Sequence, residues 1–432
     1  MIVRLLHGVP RHALALLAVV LTILVIAPVF ANDYLLTVLI IILYFAYTGQ
    51  AWNILMGFAG QLSLGHALYV GLGAYTTAAL YVHFGIGPWL GMPVAVLISV
   101  ACGATIGFLA FRFGVGGVYF AILTIAFSEF VRIGFDHFDW AGGSSGLFLP
   151  VANYSRNDVV NLRGQPVMFY YVILMMTAVA FVMCHALLRS RVGYYWQAIR
   201  EDEQAARSLG INTFRYKMIA IIVSSGMTAP AGVFYAFYYN NLFPEQTFFI
   251  LRSIEIILGP IIGGIGTLFG PVIGAFLLTG ISEVLQELLA NFGFDTPGAK
   301  RVFYGVCLLL VVMVLPNGIW PPIARLLRLQ SRQCRPDVAK QLVRVARLLN
   351  ERTRTGLFDR GGCRRRGLRA ERHHRDVRRS SVVFQLSHRL EAIEDRHPEI
   401  HQDEIGWTGQ RHTNGFCAVL RLLHSKPPEG QP

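Results

Sequence analysis

The chain is a succession of long apolar runs separated by short polar breaks, and that alternation restricts its fold more than any single residue does. Runs at residues 13–31, 34–56, 66–83, 89–111, 117–135, 168–188, 218–239, 253–267, 272–290 and 302–320 give ten candidate spans. A helix rises about 1.5 Å per residue, so about 20 apolar residues cross the roughly 30 Å hydrocarbon layer of a bilayer. Inside that layer only helices or closed barrels satisfy their own backbone. The expectation is an all-α, polytopic integral membrane protein with about ten transmembrane segments. Several runs are short for a straight span and carry Gly or Pro, which sets the count at eight to ten and predicts broken or re-entrant helices. Composition agrees: 54% of the 432 residues are hydrophobic, 15% are charged and the mean hydropathy is +0.49, too apolar for a soluble chain of this length.

Charge orients the spans. Arg4 and Arg11 precede the first run and Asn32 and Asp33 follow it, which puts the N-terminus on the cytoplasmic side. A cleavable signal peptide is the competing reading, because Val29 to Ala31 would suit a signal peptidase. The run is longer than the apolar part of a usual signal, so a retained span is expected. An even number of spans returns both termini to the cytoplasm, together with Arg112, Arg325 and Arg328. The largest outer loop is then residues 136–167, polar and glycine-bearing.

The formal charge of +13 is uneven: residues 1–330 hold 17 basic and 13 acidic groups, and residues 331–432 hold 21 and 12. The basic excess belongs to the tail, where contact with anionic membrane lipid explains it more simply than nucleic acid does. In that tail, residues 337–350 read as a basic amphipathic helix, and Arg364 to Arg366 and Arg372 to Arg379 as solvated charge runs. Histidines 373, 374, 388, 397, 401 and 412 of the tail have no metal-ligand spacing. No CxxC pair occurs among six cysteines, so neither a metal site nor a disulfide framework is expected. Residues 331–432 read as a disordered tail or a non-homologous extension of a transmembrane unit spanning residues 1–330.

One long polar island interrupts the apolar pattern. Residues 188–217 carry Arg189, Arg191, Arg200, Arg207, Arg215 and Lys217, the most basic loop between two spans, and such loops stay cytoplasmic. Ala198 to Leu209 predicts one short helix, with Glu201, Asp202 and Glu203 toward its start, Arg207 toward its end and Gly210 as its stop. From the residues alone it is equally a partner-facing helix or a solvated connector.

Other motifs carry competing readings. Gly57 to Ala67 (GFAGQLSLGHA) suits a broken helix, its glycines loosening the backbone and Gln61, Ser63 and His66 offering polar groups to a translocation pathway. Ser63 with His66 as a serine-protease pair is the weaker reading, since spacing alone does not bring nucleophile, base and oxyanion donors together. Gly142 to Gly146 (GGSSG) matches G-x-S-x-G, but a nucleophile elbow needs a strand before it and a helix after it. Gly259, Gly263, Gly264, Gly266, Gly270 and Gly274 fall at small-residue spacing around a Gly270-Pro271 turn, which predicts a tight packing hairpin. Pro230 and Pro260 predict local kinks. Glu129 and Arg132 stand one turn apart in a span and can neutralise each other, while Glu255, Glu283 and Glu287 lie in or near later spans. An ion-coupled secondary carrier would use such acids. No G-x-x-x-x-G-K-[ST] phosphate loop occurs.

Three blocks carry a resemblance. AIREDEQAARSLGI (Ala198 to Ile211), GFAGQLSLGHA (Gly57 to Ala67) and IGGIGTLFGPVIGA (Ile262 to Ala275) are similar, in order, to blocks of ABC importer permeases of the branched-chain amino acid type. The resemblance covers most of residues 1–330 and ends at Trp320. It implies a permease that imports leucine, isoleucine and valine, with relatives that serve urea, amides or other amino acids. It also implies two ABC ATPase subunits, a second homologous permease, an extracytoplasmic binding protein and an inner-membrane location. ATP would be hydrolysed on the partners and no cofactor bound by this chain. Arg200, Glu201, Asp202, Ala205, Ala206 and Gly210 match the coupling motif that docks on the ATPase.

Overall fold

The computed structural model describes residues 11–150, 158–291 and 318–326, together with Val302, Gly305, Val306, Met313 and Leu315. The basic tail, its amphipathic stretch and most of the tenth candidate span lie outside these residues. The long helices are α1 (Arg11–Phe30), α2 (Asp33–Asn53), α3 (His66–Phe84), α4 (Pro88–Arg112), α5 (Val118–Asp136) and α6 (Pro166–Arg189). Two short helices follow, α7 (Arg191–Glu201) and α8 (Glu203–Ser208), then α9 (Thr213–Tyr239), α10 (Pro244–Thr247), α11 (Ile250–Gly263), α12 (Gly270–Asn291) and α13 (Trp320–Leu326). Among the described residues the one sheet is a pair of two-residue strands, β1 (Leu147–Phe148) and β2 (Asn241–Leu242), antiparallel with Leu147 opposite Leu242.

Local sequence sets many helix ends. Pro88, Pro166 and Pro244 open α4, α6 and α10, where the missing N–H costs nothing. Gly85 and Asn240 close α3 and α9 in the left-handed region.

The interior is built from α2, α3 and α9. Residues 42–55 and 65–75 are buried without interruption. Where α3 crosses α9, Gly73 faces the Ala229 carbonyl, and a Cβ on Gly232 would overlap the Val70 carbonyl and stand 2.7 Å from Ala74 N. Two backbones therefore touch, which is how helices pack closely inside a membrane. Pro230 sits inside α9, and Tyr47 Oη donates at 2.6 Å to the Met227 carbonyl in the turn it disturbs.

Around this interior, α4, α5 and α6 turn Leu97, Phe108, Ile122, Phe130, Met175 and Val179 outward. A lipid environment removes the penalty that water would impose on those side chains. Six segments of the described residues are long and apolar enough to cross a membrane: Asp33–Phe58, Pro88–Arg112, Val118–Asp136, Pro166–Arg189, Thr213–Tyr239 and Pro244–Gly263. Leu21–Phe30 and Gly270–Val284 are shorter apolar helices.

Two local expectations change. The stretch expected as one helix from Ala198 to Leu209 divides at Asp202, which is extended (φ −158°, ψ 108°) while its carboxylate accepts the Ala205 N–H at 2.9 Å. An acid that caps the following helix cannot also continue the one before it. The turn expected at Gly270-Pro271 instead occupies residues 264–269, and Gly270 and Pro271 form the first turn of α12.

Candidate functional site

The island between α6 and α9 folds as a polar joint on one end of the bundle. Ser190 caps α7, accepting the Gly193 N–H at 3.3 Å, and α7 buries Gly193, Trp196 and Ile199 along one face. Trp196 is fully buried and its indole donates to the Tyr216 carbonyl at 2.8 Å, pinning α7 to the start of α9. Glu203 takes ion pairs from Arg207 and from Lys217, which is buried and lies over the Phe111 ring. Burial pushes the Glu203 carboxyl up, but the hydrogen bonds and charges of Lys217 and Arg207 outweigh it and hold the group below its ordinary value.

Helix α8 ends in a Schellman turn. Ile211 N donates to the Ala206 carbonyl at 3.1 Å and Gly210 N to that of Arg207 at 2.9 Å, with Gly210 at φ +83°. Ala206 is buried beneath this turn and Ala205 is half-buried. On the other side Glu201, Gln204, Leu209 and Gly210 are exposed, and Leu209 is 78% exposed, an apolar knob in a charged surface. Among the described residues no atom lies within 4 Å of where a Cβ on Gly210 would stand.

Arg200 points the other way. Its Nη1 donates to the Gly57 carbonyl, its Cγ lies 2.9 Å from where a Cβ on Gly60 would stand, and its guanidinium passes Gly266. Gly57 belongs to a π-helical turn, Ile54–Phe58, through which α2 leaves its regular course. Residues 59–65 then run without helix until α3 begins at His66. Such backbone survives at membrane depth only where protein satisfies it. Trp52 Nε1 donates to the Ser63 carbonyl at 2.8 Å, Leu64 N donates to Thr124 Oγ1 at 3.1 Å, and Ala67 N donates to Ser253 Oγ at 2.9 Å. Helices α2, α5, α7 and α11 thus meet at this break.

His66 is buried and its Nε2 lies 2.9 Å from Ser224 Oγ. Ser224 gives its proton to the Ala51 carbonyl at 2.7 Å, so His66 must donate from Nε2, which leaves Nδ1 as an acceptor with no partner among the described residues. Ser63 Oγ accepts from Gly65 N at 3.4 Å, so Ser63 and His66 are not joined as nucleophile and base. Gln61 is buried with its amide on the Ala59 carbonyl at 3.1 Å. Ser224 and Ser253 escaped the sequence reading because each lies more than 150 residues from its partner.

The glycine stretch adjoins the same break. Gly263 backs onto Gly270 and Gly274 onto Gly259, so α11 and α12 meet backbone to backbone. Gly264 and Gly266 take φ +126° and +77° in the connecting loop. Asn53 reads that loop, accepting the Gly266 N–H at 2.8 Å and donating to the Thr267 carbonyl at 2.9 Å, while Gln50 donates to the Leu268 carbonyl at 2.7 Å.

At the opposite end, residues 142–146 hold one short 3-10 turn, Gly143–Ser145, preceded by another at Asp139–Ala141 and followed by β1, not the strand and helix of a nucleophile elbow. Arg132 pairs with Glu129 at 2.6 Å and with Asp136 at 2.7 Å. Glu255 pairs with Arg252 at 3.2 Å, a partner the sequence reading did not name.

A lipid-facing shell, a broken helix held by polar contacts and a polar joint bonded to the break together define a multi-pass membrane permease. The model of the family described as "Branched-chain amino acid transport system / permease component" matches residues 34–312, and the chain belongs to that family. It is 30% identical over 312 residues to the high-affinity branched-chain amino acid transport system permease protein LivM of Salmonella typhimurium, a match covering 67% of this chain and 71% of that protein. It is 29% identical to LivM of Escherichia coli K12, with the same coverage. The LivH permease of that strain is 26% identical over 293 residues, 64% of this chain and 90% of LivH. No solved structure matches the chain.

Proposed function

We propose that this chain is the transmembrane subunit of an ATP-driven inner-membrane importer that admits leucine, isoleucine and valine. The observation that carries the reading is the joint: an exposed Glu201–Gly210 surface on one side and Arg200 bonded into the broken helix on the other. A partner that moves α7 and α8 thereby moves the break, which is what coupling nucleotide hydrolysis to alternating access requires. Glu201, Gln204, Leu209 and Gly210 face the ATPase, and Asp202, Ala205 and Ala206 shape the short helix that presents them. Gln61, Ser63 and His66 lie beside the pathway.

The joint faces the cytoplasm, as its Arg and Lys excess favours, and both termini lie on that side. The complex comprises two ATPase subunits, a second permease of the LivH kind, an extracytoplasmic binding protein and surrounding lipid. ATP is used by the partners, and this chain carries no cofactor and no ATPase motif of its own. Glu129, held by Arg132, gives no support to ion coupling.

The test is a pull-down from detergent-solubilised membranes through an N-terminal tag, followed by leucine uptake in proteoliposomes with the binding protein added. Co-purification of a Walker-motif ATPase and a second hydrophobic permease, with ATP-dependent leucine uptake, is expected. A chain that purifies alone and transports without ATP refutes the reading.

A further inference from the structure

Near the end of the bundle away from Arg200, α2, α9 and the start of α11 enclose a cavity of about 120 Å³. Its floor is aliphatic, Ile40 and Ile41, and its walls are aromatic, with Tyr44 6.3 Å from Phe234 and Phe234 5.8 Å from Tyr238 between ring centroids. Its polar rim is the ion pair of Arg252 with Glu255, where Arg252 also donates to the Tyr235 hydroxyl at 3.1 Å, inside a segment apolar enough to cross a membrane. An ionisable pair at that depth is a functional candidate by default.

Three observations point to a ligand. The Arg252–Glu255 contact is 3.2 Å, longer than the 2.6 Å of Arg132–Glu129 and of Arg207–Glu203, though shorter than the 3.9 Å of the surface pair Arg200–Glu201. The Tyr44 hydroxyl is buried and has no hydrogen-bond partner among the described residues. Burying a hydroxyl unpaired is costly unless something else completes it. Third, the rim has no net charge, which disfavours a free cation or anion but accommodates a molecule carrying one of each.

We propose that this cavity is a binding site for an aliphatic amino acid zwitterion on its way through the permease. Arg252 receives the carboxylate, Glu255 the ammonium, and the Tyr44 hydroxyl donates to the carboxylate. Inserted between the two side chains, the zwitterion replaces one loose ion pair by two charge-assisted ones. The branched side chain enters the aliphatic and aromatic part. A cavity of about 150 Å³ lined by apolar side chains takes a benzene-sized guest, so this slightly smaller one takes an isobutyl or isopropyl group while the charged end stays at the rim. The proposal rests on the substrate class given above and adds where in this chain that substrate is held.

The test is equilibrium binding of radiolabelled leucine to the purified permease–ATPase complex in nanodiscs, without binding protein or ATP, alongside leucine uptake by the complete system. Wild type should bind leucine. Arg252→Gln and Glu255→Gln should each weaken binding about tenfold or more, and Tyr44→Phe about two- to tenfold. Should the charge variants fail to assemble, Ile41→Phe decides: filling the floor should weaken leucine binding while leaving alanine binding within about twofold. Leucine affinity unchanged in Arg252→Gln and Glu255→Gln, or leucine and alanine affected alike by Ile41→Phe, overturns the site. A wild-type complex that imports leucine yet binds none directly overturns the site alone. A wild-type complex that imports no branched-chain amino acid at all overturns the substrate reading beneath it.

Discussion

Replacing Arg200 by Ala should uncouple ATP hydrolysis from import. In the structure its guanidinium donates to the Gly57 carbonyl, and the side chain is 38% exposed. A hydrogen bond from a charged donor is worth about 1.5–3 kcal/mol net, and solvent access at this exposure argues for the lower end, about 1.5 kcal/mol. The methylenes lying on Gly60 add about 0.5–1 kcal/mol of apolar contact. The joint is thus tied to the break by about 2–2.5 kcal/mol, a factor of roughly 30 to 70 in an equilibrium constant. The assay is the number of ATP molecules hydrolysed per leucine imported by proteoliposomes holding the full complex. That ratio should rise at least tenfold in Arg200→Ala. Arg200→Lys keeps a charge but loses the planar fork, and should fall between the two. If Arg200→Ala reaches the membrane at the wild-type level and hydrolyses the wild-type amount of ATP per leucine, the joint does not act through this contact.

Gly210→Val places its Cβ where no atom of the described residues lies within 4 Å, but strains a left-handed turn by about 1–2 kcal/mol, so the subunit should still insert while the ATPase is lost from the pull-down. Gly232→Ala gains helix propensity of about 1 kcal/mol, but its Cβ would overlap the Val70 carbonyl, so the net effect should be destabilising by about 1–3 kcal/mol, read as a lower thermal midpoint. Gly280→Ala, whose Cβ would stand 3.8 Å from Ile42, should be neutral or better. The Glu203 carboxyl lies below its ordinary value, so its stabilisation is complete above the usual glutamate range and is lost as pH falls through the lowered value. Glu203→Gln leaves buried Lys217 without its counter-charge; the deficit against wild type should be a few kcal/mol at pH 7 and shrink on acidification below about pH 4. A difference independent of pH removes that pair as its source.

What could be read from the sequence was what is local. The apolar runs anticipated α4, α6 and α9, because length and hydropathy decide whether a helix crosses a bilayer whatever its neighbours are. Gly210 was legible as a helix stop because a left-handed turn strongly favours glycine. The break at Asp202 was not legible: most of Ala198 to Leu209 is good helix former, and whether Asp202 continues a helix or caps the next depends on where the chain must turn. Arg200 reads as an exposed member of a charged run. That it points inward follows from Gly57, Gly60 and Gly266 leaving room for it, and those glycines lie at distant positions in the chain. The same applies to His66 with Ser224 and to the crossing of Gly73 and Gly232. Arg252 and Glu255 are only three residues apart, but nothing local tells that Tyr44 and Phe234 will close around them.

The polar contacts of this site are made largely to backbone rather than to other side chains. Arg200 holds the Gly57 carbonyl, Asn53 holds Gly266 N and the Thr267 carbonyl, and Gln50 holds the Leu268 carbonyl. A side chain bound to another side chain can follow a movement by changing rotamer, whereas one bound to backbone must carry the main chain with it. Displacement of α7 therefore drags the π-helical turn and, through Asn53, the loop at residues 264–269. That loop ends α11, a 14-residue helix whose far end bears Arg252 and Glu255. A helix of that length spans about 21 Å, and a shift at Gly263 reaches the ion pair through the turn at Pro260, where one helix hydrogen bond is missing. If the joint couples to the ATPases and the cavity holds substrate as proposed, the two are linked through α11, and closing the ATPases would change how the rim of the cavity is held without any contact between nucleotide and substrate.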